Sequence, residues 1–187
     1  MKEKGTILQN ELRERIRNME AGEGVTLSKL QKILLSIQGP VTTILDVLHG
    51  NVNMFIIDQH VENAEKSVAE LLDIEIDDEI FYREVILHKN GRPLCYSQSY
   101  IPLSRCSDEV TEDLLNKKLT TGNIMDYRHI ETVREISNID IEKITPLLQD
   151  LFKTDADLIV REYNMKHKKK IVVHAKEAFP ISYFTEM

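Results

Sequence analysis

Two charged residues stand where strand alternation makes charge expensive. In the segment 80–88 alternate residues Phe81, Arg83, Val85 and Leu87 share one face, and Arg83 is its one charge. In 170–179 the matching face is Ile171, Val173, Ala175, Glu177 and Phe179, and Glu177 is its one charge. Burying an unpaired charge is costly, so each needs a partner. Two readings follow. In one, Arg83 and Glu177 form a buried salt bridge. In the other, they line a closed ligand cavity, where Arg83 binds a carboxylate and Glu177 a hydroxyl or a developing proton.

The sequence around Arg83 extends that surface. Asn90-Gly91 lies between two strand-like runs, 80–88 and 93–101, and is the strongest short hairpin signal a sequence carries. With Asn90 and Gly91 as the loop, Arg83 is expected opposite Gln98, Val85 opposite Tyr96 and Phe81 opposite Tyr100. One face then presents Arg83, Gln98, Tyr96 and Tyr100 on an apolar ground, the make-up of a small-ligand site. A half-buried sheet whose tyrosines merely pack fits the same pattern.

Other chemistry finds little support. The histidines His49, His60, His88, His129, His167 and His174 show no HxH or HxxxH spacing, so no metal site is expected. The acidic run Asp73-Ile74-Glu75-Ile76-Asp77-Asp78-Glu79 lacks the glycine and spacing of a calcium loop and reads as a solvated turn. His167-Lys168-Lys169 reads as a basic hairpin tip. There is no glycine-rich phosphate loop, no G-x-S-x-G and no dinucleotide fingerprint. Cys95 and Cys106 form no CxxC and read as reduced packing thiols.

The elements that position these residues follow from periodicity. Leu8, Leu12, Ile16 and Met19 recur at helical spacing, and Leu27, Leu30, Ile33, Leu34 and Ile37 repeat the pattern until Gly39-Pro40 stops it. Thr43-Ile44-Leu45-Asp46 fits a capping box opening a short helix that ends near Gly50. Strands are expected at 52–61, 80–88, 93–101, 130–139, 157–165 and 170–179. Helices are expected at 62–73, after Ser107 and after Thr145-Pro146, with Gly122 in a loop. The fold class is α+β: N-terminal helices, then a mostly antiparallel sheet of about six strands with inserted helices covering an internal cavity. The whole chain, 1–187, is expected as a single domain, with a helical part and flap over 1–50 and the sheet over 51–187.

Composition excludes several classes. The chain has 187 residues, with 24 Lys plus Arg against 31 Asp plus Glu, a net charge of −7. That balance gives no global attraction for nucleic acid, and a winged-helix reading of the N-terminal part founders on its cations, because the segment 26–48 contributes only Lys29 and Lys32. No apolar run approaches the roughly 20 residues of a membrane span. The N-terminus carries no apolar signal-peptide core, so a cytoplasmic location is expected.

Three stretches resemble a known family. Arg83-Glu84-Val85-Ile86-Leu87, Asn90-Gly91-Arg92-Pro93 and Tyr100-Ile101-Pro102-Leu103 are similar to chorismate lyase and to the ligand-binding (UTRA-like) domains of certain bacterial transcription regulators, which share that superfamily. Gly39-Pro40-Val41-Thr42-Thr43 looks like the N-terminal half of the archaeal and bacterial chorismate lyase-like proteins. Lys176-Glu177-Ala178-Phe179-Pro180 looks like the lyase's closing strand. The resemblance covers residues 27–184.

It implies an enzyme that cleaves chorismate to 4-hydroxybenzoate and pyruvate without metal or cofactor, on a ligand enclosed between sheet and flaps. The family's ligand-binding arginine falls on Arg83 and its acid on Glu177. Backbone-contact positions fall at Val41, where the best-known enzymes carry methionine, and at Thr121-Gly122, which replaces an apolar-Gly pair. Substrate-binding positions are thus expected at Val41, Arg83, Gln98, Thr121, Gly122 and Glu177, with Arg83 and Glu177 catalytic. The alternatives are a non-catalytic sensor of cyclic carboxylates, and a lyase-fold enzyme acting on a different cyclic carboxylate.

Overall fold

A computed structural model describes residues 9–116 and 119–185. Leu8 of the first helical pattern lies outside the described residues. The chain opens with helices α1 (Gln9–Glu23), α2 (Lys29–Ser36) and α3 (Val41–His49). Next come β1 (Asn53–Asn63), α4 (Lys66–Leu72), β2 (Glu79–Lys89) and β3 (Arg92–Pro102). After a short 3-10 turn, α5 (Asp108–Asn116) and α6 (Thr121–Tyr127) precede β4 (Val133–Glu142), α7 (Pro146–Phe152), β5 (Leu158–His167) and β6 (Lys170–Pro180). The six strands form one sheet in the order β1-β2-β3-β6-β5-β4, with every neighbouring pair antiparallel. This is the expected α+β architecture.

Local chemistry fixes the helix starts. Ser28 and Gln31 form a reciprocal capping box on α2. Thr145 caps α7, with Pro146 at its first position. The box expected at Thr43–Asp46 is not made. Instead α3 opens at Val41 directly after Pro40, and Asp46 accepts the Val52 N–H at 2.6 Å. Gly122 belongs to the first turn of α6, not to a loop, because Thr120 caps that turn by accepting from Asn123 N–H. The strand expected from residue 130 starts at Val133, since Ile130 N–H still bonds back to Met125 at the end of α6.

The Asn90-Gly91 turn forms, both residues in left-handed backbone (φ 50° and 80°). Lys89 pairs with Arg92 and His88 with Pro93, as predicted. A bulge at Leu94 then shifts the register, so Leu87 faces Cys95. Pro93 has no N–H for the ladder, and strands accommodate proline at such breaks. One added residue turns every later side chain of β3 to the other face.

The two sheet faces are covered differently. The larger core gathers Leu12 and Ile16 of α1, Leu34 and Leu35 of α2, Val41 and Leu45 of α3, and Val110 and Ile124 of α5 and α6. They pack over Phe81, Leu87, Ile101, Val173 and Phe179 of the sheet. The opposite face is covered by α7, through Leu148 and Phe152, and by α4, through Ala69 and Leu72. Ile171 joins the α4 cluster, because the register shifts between Met165 and Lys166.

His174 lies on that second face, 5% exposed, with Nδ1 2.9 Å from Asn164 Oδ1. Tyr100 stands across from it on β3, and Lys176 follows it on β6. Burial first, then the Lys176 charge, pushes its pKa down to about 4. The unfolded chain therefore takes up the proton first as pH falls. Stability is lost between the ordinary histidine pKa and about 4, by about 3 kcal/mol in total. Urea unfolding of wild type and His174→Gln at neutral pH and near pH 4 should show the variant losing less by about that amount. Parallel pH profiles would contradict this.

Candidate active site

The register builds the site floor. Val85 pairs with Ser97, Ser97 with Glu177, and Glu177 with Arg161. One step along, Arg83 pairs with Ser99, Ser99 with Ala175, and Ala175 with Tyr163. These two adjacent rows bring Arg83 and Glu177 to one face, a strand apart. Their side chains bound a cavity together with Met54, Leu87, Arg134, Met165 and Val173. The roof is made by two helix starts: Pro40, Val41 and Thr42 at α3, and Thr120, Thr121 and Gly122 at α6. The first N–H groups of a helix have no intrahelical acceptor, so the α3 start brings backbone donors to the cavity.

Arg83 is 2% exposed, and its Nη1 donates to Leu119 O at 2.8 Å, tying the floor to the chain entering α6. Burial holds its pKa down, to about 10. It is still a cation at neutral pH, and a bound anion offsets its lost hydration.

Glu177 is held by two donors. Arg161 Nε donates to Oε2 at 2.7 Å and the Tyr163 hydroxyl to Oε1 at 3.0 Å. Arg161 is fully buried, and its Nη1 also donates to Leu34 O (2.9 Å) and Ile37 O (2.7 Å), closing the C-terminal end of α2. One guanidinium thus orients Glu177 and anchors the segment that leads into the α3 roof. Burial pushes the Tyr163 phenol well above its ordinary pKa, so it stays a donor. The expected salt-bridge alternative is corrected: the cation paired with Glu177 is Arg161, across the β5–β6 ladder, and not Arg83.

Of the positions expected at the site, Val41, Arg83, Thr121, Gly122 and Glu177 all line this cavity. Gln98 does not. The Leu94 bulge pairs it with Glu84, so it faces away from Arg83 and donates to the Tyr82 hydroxyl at 2.9 Å. Tyr96 and Tyr100 turn away with it, pairing with Ile86 and Tyr82. Ser97 and Ser99 take their places in the wall. Arg161 was open to the same alternation test as Arg83, being the one charge among Ile159, Tyr163 and Met165. Arg134 had no such signal, because β4 carries charges on both faces and shifts register between Ile136 and Asn138.

Among the described residues, no group of three His, Cys, Asp or Glu side chains is placed to hold a metal ion. No described helix is long and apolar enough to cross a membrane. The cavity therefore offers a buried cation for a carboxylate, an oriented carboxylate as acceptor for a hydroxyl, and apolar walls between them.

A family profile described as chorismate pyruvate-lyase, Rv2949c-like, matches residues 35–186. The chain belongs to that family. It is 32% identical over 157 residues to MJ0807 of Methanocaldococcus jannaschii, a protein provisionally named a lyase, covering 81% of this chain and 78% of that one. Among solved structures, the effector domain of PhnF from Mycobacterium smegmatis superposes with a TM-score of 0.62 at 13% identity, covering 76% of this chain and 88% of that one. A GntR-family transcriptional regulator from Bacillus cereus gives 0.59 at 12% identity, covering 73% and 96%. At such identities the likeness is one of fold. This chain and these regulator domains share a fold.

Proposed function

We propose that this protein is a chorismate pyruvate-lyase, converting chorismate to 4-hydroxybenzoate and pyruvate. The observation that carries the reading is the joint placement of Arg83 and the Arg161-held Glu177 in one roofed cavity. Chorismate is a dianion with a ring hydroxyl. Elimination breaks the ring-to-enolpyruvyl ether bond and removes the hydrogen from the hydroxyl-bearing ring carbon. The ring becomes aromatic, and the hydrogen ends in the methyl group of pyruvate. Aromatisation supplies the driving force, so the protein need not provide a strong base. It has to bind the dianion, hold the ether side chain in its reactive conformer and exclude water.

Arg83 suits the ring carboxylate, since a guanidinium offers a planar fork in a low-dielectric setting. Glu177 already accepts from Arg161 and Tyr163, one donor on each oxygen. Each oxygen keeps a lone pair for the ring hydroxyl, so Glu177 orients the ring as an acceptor. The α3 and α6 starts close over the ligand.

The fold likeness to regulator effector domains favours a second reading, a sensor that binds a cyclic carboxylate and leaves it intact. Adding chorismate to the purified protein separates the two. A lyase releases both products, and turnover should be unchanged by excess EDTA. A sensor returns chorismate unaltered. Loss of turnover in EDTA, restored by one divalent ion, would contradict the cofactor-independent chemistry.

A further inference from the structure

Arg134 is a charged cavity wall residue that the elimination chemistry leaves unused. It stands on β4 opposite Met165, four strand positions from Arg83 on β2. The two arginines therefore approach the cavity from opposite sides and do not clamp a single carboxylate between neighbouring strands. The Arg134 guanidinium lies 5.9 Å from the Tyr163 ring centroid, on the ring whose hydroxyl holds Glu177. Its Nη2 is 2.9 Å from the position a Cβ would take on Gly122, so it reaches the α6 roof. Its Nε is buried without a hydrogen-bond partner. Among the described residues, no Asp or Glu forms an ion pair with it. Among the described residues lining the cavity the one carboxylate is Glu177, already paired with Arg161, so the half-buried Arg134 guanidinium is placed to take an external anion.

We propose that Arg134 binds a second ligand carboxylate, so that the cavity is a dicarboxylate site: Arg83 takes the carboxylate on the ring and Arg134 the one on the ether side chain, with Gly122 leaving room for its fork. The assignment rests on the lyase reading for the identity of that side chain. After elimination the two carboxylates belong to different molecules, so 4-hydroxybenzoate meets Arg83 alone.

The test compares two stable ligands by calorimetry: 3-(carboxymethoxy)benzoate, with a ring carboxylate and an ether-linked one, and 4-hydroxybenzoate, with one carboxylate. Arg134→Ala should weaken the dicarboxylate by about 10- to 150-fold, while 4-hydroxybenzoate affinity stays within about threefold of wild type. Arg134→Gln, which keeps a polar side chain but not the charge, should weaken the dicarboxylate in the same selective way. Equal losses for both ligands, no loss for either, or no binding of the dicarboxylate by wild type would each overturn the proposal. Because neither ligand reacts, these results stand apart from chorismate turnover, whose absence would strike the lyase reading alone.

Discussion

Arg83→Ala is expected to abolish useful ligand binding while leaving the fold in place. Removing one partner of a buried, charge-assisted contact costs about 2–5 kcal/mol, roughly 30- to 5,000-fold in Kd. The loss should appear for 4-hydroxybenzoate as well as chorismate, since both carry the ring carboxylate. That breadth distinguishes Arg83 from Arg134. Arg83→Lys should recover little, because an ammonium cannot reproduce the planar fork. The fold should tolerate the truncation, with a loss of about 1 kcal/mol for the hydrogen bond to Leu119 O. Titration calorimetry with 4-hydroxybenzoate, alongside urea unfolding, checks both parts. Unchanged affinity in a folded Arg83→Ala protein would remove Arg83 from the site.

Arg161 is expected to matter most for stability. Arg161→Ala leaves the Glu177 carboxylate, 6% exposed, without its cation and frees two carbonyls at the end of α2. Such a change costs about 3–5 kcal/mol, a large share of a domain's total. Glu177→Ala should destabilise by a comparable amount, since it strands a fully buried guanidinium. Replacing both together, as Arg161→Met with Glu177→Leu, removes both charges and should regain at least about 2 kcal/mol over either single alanine variant. It should not regain everything, because the α2 carbonyls and the Tyr163 hydroxyl stay without their partners. The double variant should also be inactive, having lost the acceptor for the ring hydroxyl. Urea midpoints for the three variants decide this. Single variants within about 1 kcal/mol of wild type would show that the pair is not structural.

The coupling has a consequence for reading Glu177. An activity loss in Glu177→Ala mixes lost chemistry with a displaced roof, since Arg161 holds both Glu177 and the residues before α3. Glu177→Gln keeps the shape and an acceptor oxygen. If Glu177 orients the ring hydroxyl, Gln should retain more turnover than Ala.

Strand alternation made the site's main charges legible. Arg83 and Glu177 were visible because each is the one charge on an otherwise apolar face, and the fold does place both faces on one cavity. The Asn90-Gly91 turn was legible for its left-handed backbone. What followed it was not. A bulge adds one residue without a distinctive signature, and that residue moved Gln98, Tyr96 and Tyr100 to the far face and brought in Ser97 and Ser99. The partner of Glu177 lies across the β5–β6 hairpin, but a register shift between Met165 and Lys166 moves Arg161 from opposite Lys176 to opposite Glu177, and nothing in the sequence marks that bulge. Arg134 reaches the cavity from the far edge of the sheet, a placement that only strand order reveals.

The most direct measurement is the stoichiometry of a single turnover. Enzyme in excess over chorismate, in the presence of EDTA, should convert all of it, with one 4-hydroxybenzoate and one pyruvate formed for each chorismate lost, and Arg83→Ala should form neither at a comparable rate. Chorismate recovered intact from a protein that binds it, or consumed without equal amounts of the two products, would contradict the assignment.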